Sequence, residues 1–79
     1  MKEYLEQVRQ FYMRLWAFHL KNVMECLKNS DLDSALSQMA TESMQLGEQY
    51  RNTPLEDWTC QMIIDSTNEI ERIIKKNDH

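Results

Sequence analysis

The chain has 79 residues, 42% of them hydrophobic and 28% charged, enough for one domain near the lower limit at which a single core holds a fold unaided. A net charge of −4 opposes a duplex-binding surface, which calls for a basic domain, and no apolar run approaches the ~20 residues of a membrane-spanning helix. One glycine and one proline leave no phosphate-cradling loop and too few turn signals for a sheet, so the composition points to helices joined by short loops.

The first predicted helix runs from Lys2 to Lys28, an interval that nothing breaks. Advancing about 100° per residue, its apolar side chains fill an arc of about 240°. Only the strip holding Gln7, Gln10, Arg14, Lys21, Glu25 and Lys28 is consistently polar. A helix touching two neighbours needs about half its circumference apolar, so part of this arc is expected to face a second chain. Tyr4, Phe11 and Phe18 repeat every seven residues at one edge, the spacing of a helix–helix seam. This aromatic column, with Leu15, is assigned to an intermolecular contact, and Met13 and Met24 mark the opposite edge as a further candidate. The remainder, from Leu5 and Tyr12 through Trp16 and Leu20, is assigned to the chain's own core.

The second helix is predicted to begin after Ser30, which can cap it with Asp33 at the third helical position. Its stripe is Leu32, Leu36, Met39, Ser43, Leu46 and Tyr50, in heptad spacing. The third opens at TPLE, with Thr53 as cap, Pro54 in the first turn and Glu56 at the third position. Leu55, Thr59, Met62, Ser66, Ile70 and Ile73 form its stripe, widened by Ile63 and Ile74, and Met39 should come level with Ser66 and Ser43 with Met62. Short connections near residues 29 to 31 and 51 to 53 favour antiparallel neighbours. The expected architecture is an all-α, antiparallel up-down-up three-helix domain spanning residues 1–79, with a long first helix and completed by dimerisation.

No chemical motif competes strongly with this interaction reading. FHLKN, around His19, resembles over four residues the H-x-L-K-G setting of histidine phosphotransfer domains, which would imply a phosphoaccepting His19 in a helical bundle. Here the lysine follows the histidine by two residues, Asn22 replaces the glycine, and those domains need four bundle helices. A hydrogen-bonded core or interface histidine is preferred. His19 and Cys26 stand two helical turns apart, too far to share an ion without a third element, so no metal is expected. Cys26 and Cys60 are expected to be free thiols in a reducing cytosol. Adjacent or i+2 carboxylates, at Glu56 and Asp57 and at Glu69 and Glu71, diverge on a helix, so no enzyme activity or cofactor is expected.

Arg14, Lys21 and Lys28 form a basic strip, read as pairing with acidic neighbours rather than nucleic acid because residues 31 to 50 hold four acids and no cation. Met13, Met24 and Met44 are free for an adaptable surface, and Cys60 and Ile64 point outward from the third helix. The functional expectation is a small cytoplasmic protein–protein interaction module, a regulator or adaptor that forms a homodimer through its first helix. The alternatives are a subunit or inhibitor of a different protein and, behind it, a phosphotransfer or ligand-binding bundle using His19.

Overall fold

The computed structural model describes residues 1–28 and 30–77, so Asn29 in the first expected connection lies outside the described residues. Three helices, α1 (Lys2–Lys28), α2 (Leu32–Glu48) and α3 (Glu56–Asn77), account for nearly all of it. Each packs against both others, and the extents of 47 × 17 × 16 Å make a rod little longer than α1 itself. Twenty-seven residues without Gly or Pro give a helix of about 40 Å.

Local chemistry sets the boundaries. The cap of α2 is Asp31, whose carboxylate accepts from the Ser34 amide at 3.1 Å, so the expected Ser30 cap is corrected by one residue; a carboxylate also suits the positive end of the helix dipole better than a hydroxyl. Between α2 and α3 the chain turns at Asn52, with φ of 63°, a left-handed position that Asn tolerates better than most residues. Thr53 and Glu56 then divide the capping work. Thr53 Oγ1 accepts from the Leu55 amide at 3.2 Å and donates to the Tyr50 carbonyl at 2.6 Å, while Glu56 Oε2 reaches back to accept from the Asn52 amide at 2.7 Å. A tight turn, closed by Glu56 N–H to Thr53 C=O at 3.1 Å, thus precedes the first regular turn of α3.

The core follows most of the predicted stripes of α2 and α3, with Ala35, outside the predicted stripe, buried in it and Leu32, Leu36 and Ser43 only partly buried. Ala35, Met39, Leu46 and Tyr50 are buried from one side, and Leu55, Thr59, Ile63, Ser66 and Ile70 from the other. Leu32, Leu36, Met62 and Ile74 pack against this cluster from its margins. Helix α1 contributes Phe11, Phe18, Asn22 and Cys26. Phe11 is wedged edge-on between Tyr50 and Trp58, both ring centroids 5.1 Å away.

That placement overturns the face assigned to α1. Phe11 is 0% and Phe18 7% exposed; both belong to the chain's own core, so these two residues of the aromatic column face inward, while Tyr4 stays exposed. The cause is visible on the polar side of the helix. Lys21 Nζ reaches Glu42 Oε2 at 2.8 Å, and Arg14 donates to Gln49 Oε1 and, at 3.3 Å, to the Tyr50 hydroxyl. Because α2 lacks cations of its own, its Glu42 is satisfied from α1, which holds α2 against the edge of the basic strip. With α2 there, the adjacent Phe11 and Phe18 turn inward and the middle of the apolar arc turns out.

Candidate protein-interaction site

The exposed sector of α1 carries Leu5, Tyr12, Trp16, Leu20 and Leu27, all exposed, with Trp16 at 69%. On the helical wheel they fall within about 80° of one another. A tryptophan so exposed is unusual, because burying its large ring is worth more than burying almost any other side chain. Beside the row lies a groove of about 620 Å³ between α1 and α3, walled by Trp16, Leu20 and Val23 on one side and Met62, Glu69 and Ile73 on the other. Its lining is almost wholly apolar carbon, the composition of a surface that a partner's side chains dehydrate.

Two polar features interrupt the groove. His19 Nδ1 and Ser66 Oγ are hydrogen-bonded at 2.6 Å, with His19 half-buried and Ser66 buried. The pair clamps α1 to α3 and fits the expected hydrogen-bonded histidine. Ser66 sits in the middle of α3, past the first turn where backbone amides lack helical partners, so no neighbouring amide is available to a developing oxyanion. The second feature is the acidic α3 wall of Asp65 and Glu69. The Arg72 guanidinium donates through both Nε (2.8 Å) and Nη2 to the Glu69 carboxylate, and that hydrogen bonding holds Glu69 below its ordinary value. Asp65 accepts from Gln61 Nε2 at 3.1 Å.

The predicted interface residues part company. Met13 (62% exposed) and Met24 lie on the outer side of the exposed row, and Tyr4 is exposed near the start of α1. Leu15 lines the groove while packing against the core; Phe11 and Phe18 are withdrawn into it. Leu5, Tyr12, Trp16 and Leu20, assigned by sequence to the core, instead form the accessible face together with Leu27. A smaller groove between α2 and α3, with Met44, Cys60 and Ile64 exposed around it, matches the outward patch expected there.

In the sequence Asn22 stands out only as a departure from a motif. It is 2% exposed, donating to the Phe18 carbonyl at 2.9 Å and to Glu42 Oε1 at 3.3 Å. Both cysteines are free, and burial, followed by the nearby Glu25 charge, pushes the Cys26 thiol up. Among the described residues no group of three His, Cys, Asp or Glu side chains could hold a metal, and no helix is long and apolar enough to cross a membrane. Comparison with known protein families, with curated proteins and with solved structures gives no match for the chain.

Proposed function

We propose that this protein is a small protein–protein interaction module, a cytosolic regulator or adaptor that works through the exposed row on α1 and self-associates there. The observation that carries this reading is Trp16, standing 69% exposed among four further exposed apolar residues at the lip of an apolar groove. A contiguous apolar surface of this kind is more than scattered surface leucines account for, and interface energy concentrates on such aromatic anchors. The two free thiols support a reducing compartment. An antiparallel up-down-up course belongs to the same reading and is supported by the order of contacts. Arg14 with Gln49 and Lys21 with Glu42 advance in opposite directions along the chain, whereas Tyr12 with Trp58 and His19 with Ser66 advance together.

Molar mass by light scattering over a concentration series tests the reading. The native chain is expected to rise from its 9.5 kDa monomer mass toward twice that value. Trp16→Glu should remain monomeric with an unchanged helical circular dichroism spectrum, since an unpaired charge in a dry interface costs several kcal/mol. A native dimer that Trp16→Glu leaves intact would remove this face from the reading. A different protein as partner is the second reading, favoured by Met13 and Met24 on the exposed flank, whose flexible thioethers adapt to unlike shapes.

A further inference from the structure

We infer that the occupant of this face is a second copy of the chain, laid antiparallel along α1 with the two-fold axis passing at Trp16. The inference rests on the self-association reading and adds the direction and register of the two copies. The exposed row is separated by seven, four, four and seven residues, a spacing that reads the same in both directions about Trp16. An isologous interface requires that symmetry, because each residue must meet the counterpart of whatever meets it. In the antiparallel register Leu5 meets the partner's Leu27, Tyr12 meets the partner's Leu20, and the two Trp16 rings meet on the axis. No exposed apolar residue of the row is left facing a polar one.

Charge selects this direction over the parallel one. Between Leu5 and Leu27, Arg9 is the charged residue within the sector spanned by the row, by about 100° per residue, and its side chain is 69% exposed, paired among the described residues with Glu6 (i,i+3) at 3.4 Å. A parallel two-fold would set Arg9 against the partner's Arg9 inside the seam. The antiparallel register sends each Arg9 instead to position 23 of the other chain, where Val23 lines the same groove as Glu69 on the facing α3 wall and Asp65 lies one turn earlier on α3. Two Arg–acid contacts at symmetric ends of the seam then fix direction and register, the role that charge complementarity plays at helix interfaces.

Cysteine cross-linking tests the register in full-length chains carrying Cys60→Ser, with the buried Cys26 left in place. Leu5→Cys and Leu27→Cys proteins are oxidised separately and as an equal mixture. The expected result is a disulfide-linked dimer in the mixture, at least tenfold faster than in either protein alone. Leu5→Cys linking to itself as fast as in the mixture would establish a parallel pair and overturn the proposal. A dimer seen by light scattering that yields no cross-link in the mixture would place the contact elsewhere, and a chain that stays monomeric at millimolar concentration would exclude the second copy while leaving a different protein partner standing. Arg9→Glu is expected to weaken the dimer about tenfold, and adding Glu69→Arg to recover most of that loss; no weakening by Arg9→Glu would overturn the assigned contact.

Discussion

Asn22 is the residue on which the orientation of α1 turns. A buried amide is retained only where its polar atoms are paired; here it donates to the Phe18 carbonyl one turn back in α1 and, across to α2, to Glu42. Glu42 is shared between this amide and the Lys21 ammonium, and the hydrogen bond from Lys21 raises that lysine above its ordinary value of 10.5. The sign follows from the raised value: the lysine's contribution to the pair is fully present at neutral pH and is lost as pH climbs through its folded-state titration. Asn22→Ala is expected to destabilise the chain by about 1–3 kcal/mol, through the lost donor to Glu42 and the emptied volume. Asn22→Asp should cost more, because it sets a carboxylate against Glu42. Urea denaturation measures both; a loss below about 0.5 kcal/mol for Asn22→Ala, within the range of ordinary surface substitutions, would show that the amide does not fix the helix.

Within single elements, the caps and the one glycine make separate predictions. Asp31→Ala removes the side chain that accepts from the Ser34 amide and is expected to cost about 1 kcal/mol. Ser30→Ala should fall within the noise of surface substitutions, and thermal melts of the two variants separate a cap at residue 31 from one at residue 30. Gly47 lies inside α2 without a positive φ. A Cβ added there would meet Ile63 Cδ1 at 3.7 Å, ordinary van der Waals contact. Gly47→Ala is therefore expected to stabilise by about 0.5–1 kcal/mol, the difference in helix propensity. A lower melting temperature instead would mean that α2 and α3 approach more closely at that point than the structure has them.

At the scale of the whole molecule, Phe11 joins all three helical segments, its ring meeting Tyr50 just beyond α2 and Trp58 on α3. Removing a large buried ring costs about 3–5 kcal/mol, comparable with the entire stability of a domain this small. Phe11→Ala is accordingly expected to abolish the cooperative thermal transition, whereas Trp16→Ala, at the exposed row, should leave the monomer's transition nearly unchanged and act on association. Near-ultraviolet circular dichroism with melting distinguishes the two. A stable Phe11→Ala chain would restore the aromatic column to the surface.

Local chemistry and one-dimensional spacing govern the part of the fold legible along the chain. The three helices, the turn chemistry of Thr53 and Glu56, and the buried stripes from Leu32 to Tyr50 and from Leu55 to Ile74 follow from periodicity, capping and the scarcity of glycine and proline. These two helices each carry a stripe just wide enough for their neighbours, so only one rotation buries it. Helix α1 offered no such constraint. With an apolar arc of about 240°, several rotations bury a similar area, and hydrophobicity cannot rank them. The choice fell to polar groups that become neighbours only in the folded chain: Glu42 taking Lys21 and Asn22, Gln49 and Tyr50 taking Arg14, and Ser66 taking His19. Directional hydrogen bonds between elements thus decided which third of α1 is covered and left Trp16 and its row outside.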